Sequence, residues 1–110
     1  MQKIINELKI TTGSILEFIV LKMLSGARTY STEEMSAELK LIGFKTPMGS
    51  IYPLLTKFRR NKYVITGYEE GDRGAGIKTY KITEKGRQRL SDLRHDWKRL
   101  NQMIASIGVK

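Results

Sequence analysis

Apolar positions recur along this chain in two different periods, and the change from one to the other divides it. Ile4, Ile5 and Leu8 mark a short amphipathic stretch. Ile15, Leu16, Phe18, Ile19, Val20, Leu21, Met23 and Leu24 are then apolar almost all round, the pattern of a helix buried on most sides, which Ser25-Gly26 ends. Ser31-Thr-Glu-Glu34 has the form of a capping box, in which the serine hydroxyl meets the amide three residues on and the glutamate reaches back. Met35, Leu39 and Ile42 follow at helical spacing, and Gly43 closes this second helix. Thr46-Pro47 opens a third, whose core stripe is Ile51, Leu54, Leu55 and Phe58 and whose end is expected at Asn61 in the left-handed conformation. Pro53 falls inside that helix, where a proline costs about 3 kcal/mol through a missing hydrogen bond and a clash with the preceding turn.

After the third helix the period becomes two. Tyr63–Tyr68 and Ile77–Ile82 are β-branched and aromatic runs on either side of a glycine-rich turn, Glu69–Gly76, which predicts a β-hairpin with a long loop. Thr83 caps a last helix beginning at Glu84. On it Leu90, Leu93, Trp97, Leu100, Ile104 and Ile107 are spaced 3, 4, 3, 4, 3, the a/d seam of a coiled coil. A helix running from 84 to the last of these is about 36 Å long, more than so small a domain can cover. The seam therefore asks for a second copy, and Leu93, Trp97, Leu100, Ile104 and Ile107, with Ile4, Ile5 and Leu8, are its expected homodimer interface. No linker, repeat or low-complexity segment interrupts the order helix, helix, helix, hairpin, long helix. The fold class is mostly α with a small β-hairpin (α+β).

Charge adds a direction. Twenty basic residues against eleven acidic leave a net charge of +9, a balance that favours an anionic partner. The excess is concentrated: between Leu39 and Tyr68 there are six basic residues (Lys40, Lys45, Lys57, Arg59, Arg60, Lys62) and no acid. With no cysteine there is no thiolate metal site and no cysteine nucleophile, any serine–histidine dyad would have to rest on the single histidine, His95, which reads as a helix-surface or interface residue, and an enzyme is not expected. The three glycines of Gly71–Gly76 precede no helix, so they are not a nucleotide-binding loop. No apolar run reaches the length of a membrane span. No cofactor or metal is expected, and the chain reads as soluble and cytoplasmic.

Three short helices, a basic third helix and a glycine-tipped hairpin suggest a winged helix-turn-helix, which places its third helix in the major groove of double-stranded DNA. The residues also carry a family resemblance. Gly49-Ser-Ile-Tyr-Pro-Leu-Leu-Thr-Lys-Phe58 resembles the Tyr-Pro signature of PadR-like transcriptional regulators, Tyr80-Lys-Ile-Thr-Glu-Lys-Gly86 their segment after the wing, and Gly13-Ser-Ile-Leu-Glu17 the opening of their first helix. This implies a repressor that binds a palindromic operator as a dimer. Residues 1–83 would form the DNA-binding part and 84–110 the dimerisation helix of one compact domain. Lys45, Thr46, Met48, Gly49, Ser50, Tyr52, Lys57 and Arg60 would contact DNA, with Arg73 and Lys78 on the wing. Trp97 is similarly placed to the tryptophan with which some drug-responsive members stack a planar aromatic or cationic effector; as a residue of the seam it can equally be interface core. Lys62 departs from the family, standing where a helix-ending glycine is usual. The alternative reading is a winged helix used for protein interaction or for non-specific nucleic-acid binding.

Overall fold

The computed structural model describes residues 12–44, 48–71 and 76–108. Its elements are α1 (Thr12–Leu24), α2 (Thr32–Leu41), α3 (Met48–Arg60), β1 (Val64–Glu70), β2 (Gly76–Ile82) and α4 (Glu84–Ala105). Ile4, Ile5, Leu8, Lys45, Thr46 and Arg73 lie outside the described residues.

Local chemistry sets most of the helix ends. At the start of α2 both arms of the capping box are present: the Glu34 amide donates to Ser31 Oγ at 3.2 Å and the Ser31 amide to Glu34 Oε1 at 2.9 Å. The backbone bond from Ser31 is the main cause holding the Glu34 carboxyl below its ordinary value of 4.5, and an ion pair with Arg28 at 2.6 Å adds to it. At the other end Phe44 donates to the Leu39 carbonyl and Gly43, at φ 86°, to that of Lys40, which is a Schellman closure.

α3 ends in the same way one motif later. Tyr63 donates to the Phe58 carbonyl and Lys62 to that of Arg59, and the hydrophobic contact of the motif is the edge-on pair Phe58–Tyr63, with ring centroids 6.1 Å apart. The left-handed residue is Lys62, at φ 62°, rather than the expected Asn61. Asn61 is the cap that precedes it, since its amide still bonds the Lys57 carbonyl as in the helix proper.

β1 and β2 pair antiparallel from Val64↔Ile82 to Glu70↔Gly76. The hairpin is longer than its sequence suggests, because Glu69 and Glu70 continue the ladder and Glu69 accepts a 2.6 Å bond from the Thr29 hydroxyl. A third, one-residue strand joins it: Tyr30 and Tyr80 exchange both backbone bonds, at 3.4 and 2.9 Å.

The core gathers Leu16, Val20, Leu21 and Leu24 of α1, Met35 and Leu39 of α2, Ile51, Leu55 and Phe58 of α3, Val64, Tyr80 and Ile82 of the hairpin, and Leu90 and Leu93 of α4. Burial along α4 stops there. Leu93 is only 4 % exposed and belongs to its own chain's core. The helix ends at Ala105, which puts Ile107, 63 % exposed, beyond the helical part of the seam. Among the described residues no helix is long and apolar enough to cross a membrane, and no cluster of possible metal ligands is found.

Candidate nucleic-acid interface

α3 runs unbroken through Pro53. As the sixth residue of the helix, Pro53 lies just past the amides that have no intrahelical partner, and lacking an N–H it forgoes the bond to the Gly49 carbonyl. Its ring lies on the exposed side of the helix, away from the core.

At 100° per residue the buried stripe Ile51–Leu55–Phe58 defines three exposed sectors. Pro53, Thr56 and Arg60 point away from the core. Tyr52 and Arg59 flank them on the side of the wing. Lys57 flanks them on the side of α1. The Thr56 hydroxyl donates to the Tyr52 carbonyl at 3.0 Å, which holds that side chain down on the helix.

Between α3 and the wing lies a cleft of about 600 Å³, lined among others by Thr32, Glu33, Tyr52, Thr56, Arg59 and Lys78. Tyr52 and Lys78, both expected from sequence, thus come together across it, and Lys78 lies 5.8 Å from the centre of the Tyr80 ring. Arg59 joins them, although the sequence pattern singles out only its neighbours Lys57 and Arg60. The signal is present in the spacing, since 52, 56 and 59 share one side of a helix. Met48, Gly49 and Ser50 form the first turn of α3.

Lys57 does not stand free. Its ammonium is 3.9 Å from Oε2 of Glu17, a carboxylate on α1 that is 3 % exposed and whose Oε1 accepts a 2.7 Å bond from Arg89 of α4. That hydrogen bond, above all, raises the Arg89 guanidinium still further into its charged form. The run from 39 to 68 is therefore acid-free along the chain but not in space: Glu17 meets it from α1 and Glu33 from α2.

The C-terminal end of α3 is joined to α4. Thr83 donates its hydroxyl to the Lys62 carbonyl at 2.6 Å and its amide to the Tyr63 carbonyl at 2.9 Å, while its side-chain oxygen accepts the Gly86 amide at 3.0 Å. Gly86 itself presses on that turn. A Cβ there would sit 2.2 Å from the Tyr63 oxygen and 2.7 Å from Ile82 Cγ1, so the spacing Thr83-x-x-Gly86 is a joint between the helix end and the long helix. Further along α4, Trp97 faces Phe18 of α1, with ring centroids 6.2 Å apart.

The sequence matches the profile of the transcriptional regulator PadR-like family over residues 20–92, from within α1 to within α4. No curated protein matches the chain. Among solved structures, a Streptococcus transcriptional regulator is similar at 29% identity and a TM-score of 0.77, over 89% of this chain and 98% of that one. A PadR-like transcription factor from Bacteroides fragilis is similar at 27% identity and a TM-score of 0.76, over 87% and 92%. Bacillus subtilis PadR in complex with operator DNA shares the fold at 23% identity and a TM-score of 0.62, over 71% of this chain and 46% of that one. With the winged helix-turn-helix arrangement, the Tyr52-Pro53 helix and the Thr83–Gly86 joint all in place, the chain belongs to the PadR-like family of transcriptional regulators.

Proposed function

We propose that this protein is a DNA-binding repressor that reads a two-fold symmetric operator as a homodimer, with α3 in the major groove and the wing along the adjacent backbone. The observation that carries the reading is the solvent face of α3, where Arg60 points outward and Tyr52 and Arg59 turn toward Lys78 across the cleft. Basic side chains on either side of an exposed polar helix face suit phosphates flanking a groove. The structural neighbour from Bacillus subtilis, solved in complex with operator DNA, supports the same use of the fold. The dimer is formed by the part of α4 beyond Leu93, and Trp97 is the candidate contact for a planar aromatic or cationic effector. No catalytic role is assigned.

Selection of bound fragments from the source genome tests this directly. A preferred operator should be bound about 10³-fold or more above random duplex. Arg59→Ala and Arg60→Ala should each weaken operator binding and lower the salt slope by about one unit for every phosphate that is no longer neutralised. Binding that shows no preference above random duplex would favour a non-specific module, and a double variant bound as tightly as the wild type would remove α3 as the reading element.

A further inference from the structure

Glu17 is a buried carboxylate that the DNA-reading face does not use. Burial of a charge on this scale is costly unless it is paired and hydrogen-bonded. Arg89 satisfies one oxygen, at 2.7 Å. The other, Oε2, is buried with no hydrogen-bond partner among the described residues, and so is Nε of Arg89. The cation facing Oε2 is Lys57 of α3, at 3.9 Å, an ion pair too long to be a hydrogen bond. The Lys57 side chain is 57 % exposed, so its ammonium lies within reach of both the buried carboxylate and solvent.

We propose that Glu17 is a positioning residue for operator reading: through Lys57 on one side and Arg89 on the other, it ties the pose of α3 to that of the long helix α4. The proposal rests on the assignment of α3 as the DNA-reading helix.

The buried stripe Ile51, Leu55 and Phe58 seats α3 on the core, and polar ties at its surface trim how it sits there. α3 is held at its C-terminal end by the Thr83 bonds to the carbonyls of Lys62 and Tyr63. Lys57 is five residues before Lys62, about 7.5 Å along the axis, and lies on the flank that faces α1. An attraction between Lys57 and Glu17 is thus a second anchor, displaced from the first along the helix and off its axis. Added to the core stripe, these two points bear on the roll of α3, and the roll decides whether Thr56 and Arg60 address the groove squarely. Both anchors end on α4, one at Thr83 and one at Arg89. A change in the setting of α4 against α1 is therefore passed to α3 at two places, and binding at either end biases the other by the same free energy.

The test compares operator with random duplex, because the ratio of the two affinities cancels the general effect of net charge. Glu17→Gln retains an acceptor for Arg89 and removes the charge that attracts Lys57. We expect its operator-to-random ratio to fall about tenfold, the size of losing the readout of one base pair, while binding to random duplex is kept or strengthened. Lys57→Met should lower the ratio too, and the double variant should be no worse than Lys57→Met alone, since the two residues act as one contact. Folding is followed by thermal unfolding in parallel. Should Glu17→Gln be unfolded, Glu17→Leu/Arg89→Leu removes the buried carboxylate together with its half-buried partner, a replacement of an ion pair that proteins often tolerate, and the same drop in ratio is expected. A folded variant with the wild-type ratio, or effects that multiply in the double variant, would overturn the role of Glu17. A wild-type ratio near one would instead remove the DNA-reading assignment, and this proposal with it.

Discussion

Two single residues carry the joint between α3 and the long helix α4, and they respond to substitution in opposite directions. Gly86 has no room for a side chain, because the atom a Cβ would meet first is a backbone oxygen at 2.2 Å that is already bonded to the Thr83 amide. Gly86→Ala must push α4 away from the end of α3, and we expect a destabilisation of about 3 kcal/mol, seen as a melting temperature lower by roughly 15 °C at fixed protein concentration. A variant that melts with the wild type would mean that the joint is loose. Lys62 is the reverse case, a side chain held in the left-handed region at φ 62°. That conformation costs a non-glycine residue roughly 1–2 kcal/mol, part of which glycine gives back through its freer unfolded chain. Lys62→Gly should therefore raise the urea midpoint by the equivalent of about 0.5–1 kcal/mol. An unchanged midpoint would show that the lysine side chain recovers the strain elsewhere.

At the scale of the elements, periodicity and caps are readable where the signal is local. The Ser31 capping box, the closure at Gly43 and the cap that Thr83 gives Gly86 each join residues no more than five apart, so their chemistry is written in short stretches. Three features are not readable for the opposite reason. The left-handed position falls on Lys62 instead of Asn61 because a Schellman closure is counted from the last helical carbonyls, and asparagine's intrinsic tolerance does not override that count. The strands extend through Glu69 and Glu70 with the help of a bond to Thr29, which is forty residues away. The charge around α3 differs from its sequence window because that window cannot see Glu17, and an isolated glutamate among apolar residues of α1 reads as an interruption rather than as the partner of Arg89 and Lys57. Of the expected DNA-contact residues, Tyr52 and Lys78 meet across the cleft and Arg60 faces outward, while Lys57 is shared with Glu17 and Arg59 enters only through its place beside the wing.

For the molecule as a whole the question is what covers the far end of α4. The helix is 22 residues long, about 33 Å, yet its last core residue is Leu93, ten residues into it. Beyond that point Trp97 and Leu100 are half-buried and Ile104 is 57 % exposed, all on the side that Leu90 and Leu93 define. Repeating apolar positions on a projecting helix are stabilised by a second copy of the same helix, and two copies related by a two-fold axis would carry two reading helices to the two halves of a symmetric operator. Leu100→Asp tests this without touching the core, since Leu100 lies two turns past Leu93. A carboxylate at the seam would have to be desolvated to keep the dimer, so the variant should sediment as a monomer where the wild type is a dimer. Its far-ultraviolet circular dichroism should be kept, because the core of each chain ends before the substitution. Operator affinity should fall by at least about a hundredfold, as a single α3 engages one half-site, while the weak binding to random duplex changes far less. A wild type that sediments as a monomer, or a monomeric variant that holds the operator as tightly as the wild type, would separate the long helix from DNA recognition and leave its seam without the role assigned to it.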